Sequence, residues 1–424
     1  MPEPDRPLSE RPWEDVARLL SVDDALARIL ADITPLEAVD MPLLRARGMT
    51  LAESVCAPCD VPPFRNSAMD GYAVRAADTI DASDERPTVL RVTAVAPAGS
   101  GETQTVGAGE AIRIMTGAMM PVGADAVVRF EETDDSVASP DSVRVFHSAA
   151  LGDNVRQAGE DVSFGSAVFA AGRTLAPPDL GLLAALGATT ARVHRQPRVA
   201  VLSTGDEVEQ PGTPPRPGAI YDSNATTLAA MAEGWGAEVT SLGIARDRLR
   251  DVAEHLKRAA ASDLIVTSGG VSLGDYDFVK DALRAAGEVA IWQVRMKPGK
   301  PLAFGRIGGV PLLGLPGNPV AAAVSFEVFG RPAIRKMLGR RDLTPATVEV
   351  VLGERLENQG MRRHYVRAWI ERDMAGEWSA RPVGSQGAGM LTSLVLANAL
   401  LIVPETVERA EPGDRLRAMP LGAR

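Results

Sequence analysis

The chain has 424 residues, 45% of them apolar and 24% charged. That is the balance of an ordinary globular protein, at a length that exceeds one hydrophobic core, so two or more domains are expected. The formal net charge is −10, from 45 Lys and Arg against 55 Asp and Glu, which excludes a global attraction for nucleic acid or an anionic membrane and leaves any anion to be met by local positive charge.

The opening MPEPDRPLSERP has no apolar run of the kind a secretory leader carries. It reads as a frayed arm, and the cytoplasm is the expected compartment. The longest apolar runs, near 180–186 and 394–403, fall short of the roughly 18 residues of a membrane span. From about 13 to 33 the apolar positions Val16, Leu19, Leu20, Ala25, Leu26, Ile29 and Leu30 recur at helical spacing, and Ser21 with Asp24 marks a helix start. The stretch CAPCDVPPFRNSAMDGYAV then signals a domain boundary. Its two cysteines, Cys56 and Cys59, are the only ones in the chain, and the four histidines are scattered. A zinc site lacks its further ligands, so a reduced, incidental pair is expected.

Residues 88–145 alternate in strand fashion, with Gly, Pro and Asp between short runs. APPDLGLLAALGA, within the mixed segment 152–195, reads as a short helix with proline in its first turn. From 197 to 338 strands and helices alternate: strands at 199–202, 238–244, 264–267 and 289–294, and helices at 225–235, 248–261, 278–286 and from Asn318-Pro319 to 337. Such alternation implies a parallel, doubly wound sheet whose ligands sit at the carboxyl ends of the strands. After Gly339 the helical period disappears, and 347–352, 365–372, 378–382, 399–403 and 414–419 read as strands of a small β domain.

The strand-end loops hold the unusual residues. Ser203-Thr-Gly-Asp-Glu, Tyr221-Asp-Ser-Asn, LIVTSGGVSLGDYDFVK (264–280), Met296-Lys-Pro-Gly-Lys-Pro and Gly314-Leu-Pro-Gly-Asn-Pro are expected on one rim. The Gly-rich loop resembles a phosphate loop, but carries Asp275 and Asp277 where a lysine belongs. Glu207, Asp222 and Asp277 on one rim would repel one another unless they share a cation or a proton. Mg²⁺, which takes one or two carboxylates plus phosphate oxygens, is the natural cation. Lys297 and Lys300 supply fixed positive charge for a second anion. The backbone of Ser268, Gly269 and Gly270 can approach a phosphate or a ring closely. Asp275 reads as a helix cap.

With these loops in view, the sequence resembles the molybdopterin molybdenumtransferases of the MoeA family, which include the E domain of gephyrin. The carriers are PPFRNSAMDGYAVR (62–75), RIMTGAMMPVGADAVV (113–128), NVRQAGED (154–161), STGDE (203–207), YDSN (221–224), TSGGVSLGDYDFVK (267–280), MKPGKPLAFG (296–305) and GLPGNPVA (314–321). The resemblance implies four domains: a discontinuous mixed α+β domain at 13–60 plus 152–195, a small β-rich domain at 61–151, a molybdopterin-binding α/β domain at 196–338, and a C-terminal β-barrel-like domain at 339–424. It implies a homodimer with the site at the subunit interface. The implied reaction inserts molybdate into adenylylated molybdopterin and releases AMP, with Mg²⁺. Asp277, Glu207 and Asp222 match the family's acidic metal and catalytic positions, and Lys297 and Lys300 match its KPGK lysines. Pro316 and Pro319 match the turn beside molybdate. Asp70, Thr116, Arg156 and Asp161 match residues contributed by the partner subunit. A molybdopterin adenylyltransferase and cofactor-accepting enzymes are the implied partner proteins. Where the family often has Gln-Gly-Ser-Gly, this chain has Gln386-Gly387-Ala388-Gly389, so that hydroxyl is missing; Arg367 is a candidate basic contact from the last domain. The alternatives are molybdopterin adenylyl transfer on the same α/β fold, which does not need the extra domains, and a non-catalytic scaffold, which does not need the carboxylates.

Overall fold

The computed structural model describes residues 19–102, 104–134, 141–212, 214–270 and 287–422. The N-terminal arm, the expected helix at 278–286, Asp275 and Asp277 lie outside them.

The α/β unit is built on a six-stranded sheet with the order Glu238–Ala245, Arg198–Thr204, Leu264–Ser268, Val310–Leu315, Pro301–Ile307 and Gly287–Gln293. The first four strands are mutually parallel. Alternation within them sorts side chains to two faces. Val199, Val201, Val266 and Leu313 join one core, while Ala200, Leu202, Ile265 and Leu312 join another. Helices Ser223–Gly234 and Pro319–Ser325 cover the first face, and Leu249–Arg258 covers the second. Burial on both faces is why these strands read as continuous apolar runs.

The strands expected from the sequence all run in one direction, and the sheet holds one further strand that does not. Pro301–Ile307 is antiparallel to both of its neighbours. This strand and Val310–Leu315 form a hairpin absent from the sequence reading, because Pro301, Gly305, Pro311 and Gly314 mask the strand signal. Gly287–Gln293 still runs in the common direction, so the lysine loop after it leaves from the same edge of the sheet as the other loops.

Helix Val22–Asp32 is capped by Ser21, whose Oγ accepts from the Asp24 N–H at 3.0 Å. Val22, Ala25, Ile29 and Ile33 pack into the α/β core, although the helix belongs in sequence to the 13–60 stretch. The rest of that stretch pairs with 167–194: Ala38–Pro42 against Thr190–His194, and Val55–Cys56 against Ala167–Phe169. Between them lies a five-stranded sheet ordered Ala126–Arg129, Gly71–Val74, Glu110–Ile114, Thr88–Ala96 and Ser142–Val145. Gly71 is required there by close approach, since a Cβ would overlap the Val128 carbonyl oxygen. Gly71→Ala is expected to cost about 3 kcal/mol through overpacking and to displace the adjoining Asp70. Thermal denaturation reads the first effect, and a wild-type melting temperature would contradict it.

The C-terminal strands close into a ring. Arg363–Arg372 pairs with Trp378–Pro382, then follow Val348–Leu352, Arg415–Pro420 and Ala399–Val403, which returns to the first. Val350, Leu352, Val366, Ala368, Leu401 and Val403 are buried together in this barrel. Two features stitch it to the α/β unit. Met296–Lys297 pairs in parallel with Arg363 and His364, and Arg363 forms ion pairs with Asp23 and Glu405. Among the described residues no helix is long and apolar enough to cross a membrane.

Candidate functional site

Three neighbouring parallel strands end in Ser203-Thr-Gly-Asp-Glu, Ser268-Gly-Gly and Pro316-Gly-Asn-Pro. Their loops and the first turn of helix Ser223–Gly234 enclose a cavity of about 370 Å³. Glu207, Asp222, Ser268, Gly269, Gly270 and Pro319 all line it, and Pro316 adjoins it through Gly317. The close approach depends on glycine: Gly269 has φ +93°, and a Cβ there would lie 2.8 Å from the Thr204 carbonyl oxygen.

Asn224 ties the loops together. Its Nδ2 donates to Ser268 Oγ at 2.6 Å and to the Gly317 carbonyl at 2.7 Å. Its Oδ1, with the Ser203 hydroxyl, is buried at this cavity without a partner among the described residues, a condition that calls for an explanation. The sequence places Asn224 on the rim within the YDSN stretch but gives it no role of its own. Asp222 does cap the helix, accepting from the Ala225 N–H at 2.9 Å. Glu207 is exposed at the cavity wall. Arg246 Nη1 steadies its loop by donating to the carbonyls of Asp206 and Val208 at 2.9 and 3.1 Å. No sequence signal marked Arg246, because its role exists only once two strand ends are adjacent.

Among the described residues no group of three or more His, Cys, Asp or Glu forms a metal cluster. The described part of the expected acidic set is the pair Glu207 and Asp222 at one cavity. Two carboxylates with room for phosphate oxygens suit Mg²⁺.

The lysines stand apart from this cavity's lining. Lys297 is half-buried against the barrel, where burial first, and then Arg362 and Arg367, lower its pKa. Gly299, at φ +103°, lets the loop turn tightly over Ser325, whose hydroxyl is buried without a partner among the described residues; Lys300 follows, its carbonyl accepting from the Val294 N–H at 2.7 Å. Arg367 is fully buried. Its guanidinium donates to Ser393 Oγ and to the carbonyls of Tyr365, Ser385 and Gly387, and burial brings its pKa down to about 10. His364, three residues earlier on the same strand, is also buried. The expected single rim is therefore two adjoining parts, an acidic, glycine-rich cavity and a cationic cluster at the barrel seam. The Gln386–Gly389 loop is structural as well as nearby: Gln386 brackets the Arg367 backbone, and the Ala388 carbonyl accepts from the Val320 N–H at 3.0 Å.

Of the remaining candidates, Asp70 and Thr116 sit on the β-rich region and Arg156 and Asp161 on the segment that follows it, and none lines the cavity. Asp70 Oδ1 accepts from the Thr116 N–H at 2.7 Å and from its hydroxyl at 2.8 Å, and those bonds hold the Asp70 carboxyl below its usual range. Arg156 and Asp161 are exposed. Cys56 and Cys59 are unbridged.

Three family models match the chain: the MoeA N-terminal region (domain I and II) over residues 20–187, a probable molybdopterin binding domain over 200–336, and the MoeA C-terminal region (domain IV) over 349–421. Molybdopterin molybdenumtransferase 2 of Mycobacterium tuberculosis is 42% identical over 390 residues, covering 90% of this chain and 95% of that protein. The molybdopterin molybdenumtransferase of Haemophilus influenzae is 33% identical over 405 residues, covering 95% and 98%. Among solved structures, a molybdopterin biosynthesis MoeA protein from Pyrococcus horikoshii superposes with a TM-score of 0.84 at 31% identity, covering 96% of this chain and all of that one.

Proposed function

The chain belongs to the MoeA family of molybdopterin molybdenumtransferases, and on that premise we propose that it inserts molybdate into adenylylated molybdopterin and releases AMP. The observation that carries this reading is the pairing of an acidic, glycine-rich cavity with an adjoining buried cationic cluster. One part suits a phosphorylated pterin with a divalent cation, and the other suits a free oxyanion.

In this reading the Ser268, Gly269 and Gly270 backbone and the Pro316–Pro319 turn hold the ligand. Glu207 and Asp222, with Asp277, would hold Mg²⁺, which when bound supplies positive charge against the phosphate oxygens. Lys297 and Lys300 orient molybdate. Positioning two anions that repel one another is most of the catalysis required, so no histidine or cysteine nucleophile is invoked. Asp70, Thr116, Arg156 and Asp161, which do not line this chain's own cavity, serve the partner's site in a cytoplasmic homodimer. The division into 13–60 plus 152–195, 61–151, 196–338 and 339–424 is the matching domain assignment. A molybdopterin adenylyltransferase would supply the substrate, and cofactor-accepting enzymes would take the product.

Asp222→Asn tests the acidic half. Asparagine caps a helix about as well as aspartate, so the fold keeps its cap and loses only the charge. AMP release should fall at least about tenfold with an unchanged melting temperature. A wild-type rate would remove Asp222 from the metal set.

A further inference from the structure

Lys297 lies opposite His364 where the lysine loop joins the barrel in parallel register. Residues opposite one another in a ladder project to the same face. His364 is only 4% exposed, and among the described residues neither ring nitrogen has a hydrogen-bond partner. A buried imidazole left in that condition is costly and calls for an explanation. The charged groups that act on it are Lys297, Arg367 and Arg362. No carboxylate is among them, and none bonds the fully buried Arg367 guanidinium among the described residues. The Ser325 hydroxyl, also buried and unpartnered among the described residues, lies against the same lysine loop at Gly299. Three cations among the described residues make these surroundings unsuited to a metal ion. Cations with unsatisfied donors around them are the composition of an oxyanion site.

We propose that His364 is a specificity-determining contact of this site, donating a ring N–H to a tetrahedral divalent oxyanion held beside Lys297. The proposal rests on the assignment of Lys297 to molybdate. Burial and the neighbouring cations bring the His364 pKa down to about 3, so the ring is neutral at physiological pH. A neutral ring offers one donor and one acceptor. The donor suits an anion made only of acceptors, and the acceptor suits an ammonium such as that of Lys297.

The test uses the full chain, with sodium molybdate as the probe, calorimetric titration for affinity and thermal denaturation for stability. In His364→Phe the ligand-free protein should melt at or above the wild-type temperature, because an unpaired buried polar ring has been removed. Molybdate affinity should nevertheless fall about tenfold or more. His364→Gln, which keeps an N–H donor, should recover part of it. Wild-type affinity in His364→Phe overturns the proposal whatever its melting temperature; if that variant does not fold, His364→Met is judged by the same result. Lys297→Ala separates the two layers. Loss of binding there, with normal binding in His364→Phe, defeats this inference alone. Normal binding in both defeats the assignment of the lysine.

Discussion

Lys297→Ala is expected to lower molybdate-dependent turnover about a hundredfold while leaving the fold intact. Truncating one member of a partly buried charged contact costs about 2–5 kcal/mol, because the other charge loses its partner as well. Here the partner is the bound anion. The apo protein loses little, since among the described residues the charges acting on Lys297 are those of Arg362 and Arg367, so its removal relieves repulsion. Lys297→Arg should recover only part of the rate, because a planar fork does not replace a compact ammonium at a crowded seam. Initial rates across a molybdate series measure this, and a rate within threefold of wild type would contradict it. The depressed Lys297 pKa adds a pH signature. As pH rises through that pKa the ammonium is lost, and molybdate binding weakens before an ordinary lysine would titrate. Stability moves the other way. Between the folded pKa and the unfolded value near 10.5, the unfolded chain binds more protons, so rising pH favours the folded state.

Arg367→Ala should be the most damaging single change at the barrel seam, at about 3–5 kcal/mol of stability. The side chain is fully buried, so truncation leaves a cavity. It also strips donors from the carbonyls of Tyr365, Ser385 and Gly387 and from the Ser393 hydroxyl. Those contacts hold the 383–393 segment over the barrel, and that segment in turn meets helix Pro319–Ser325 through the Ala388 carbonyl. Arg367→Met separates the two losses. It restores volume without donors and removes a buried charge that has no acidic partner among its bonds, so it should melt between alanine and wild type. An alanine variant that melts at the wild-type temperature would contradict the account.

What the sequence made legible follows from the range of the interactions. Strand 199–202 and the C-terminal strands were readable because their alternation or apolar runs are local. So was the cap at Ser21, where donor and acceptor are three residues apart. The hairpin Pro301–Leu315 was not, because prolines and glycines that a strand normally excludes are tolerated there by its neighbours. The acidic cavity was readable because Glu207 and the glycines follow the ends of parallel strands, which a general rule gathers, and Asp222 opens a helix beside them. The cationic cluster was only half readable. Lys297 and Lys300 stood out, but His364 and Arg362 become neighbours of Lys297 only when the barrel pairs with the lysine loop, a contact that no periodicity encodes. Helix Val22–Asp32 shows the same limit, since chain order placed it with one domain and its apolar face packs on another.

The most direct measurement is AMP release by the wild-type protein incubated with adenylylated molybdopterin and Mg²⁺, with and without molybdate. The account predicts AMP release that depends on molybdate and is matched by formation of the molybdenum-loaded cofactor. AMP release that ignores molybdate, or no release in its presence, would contradict it.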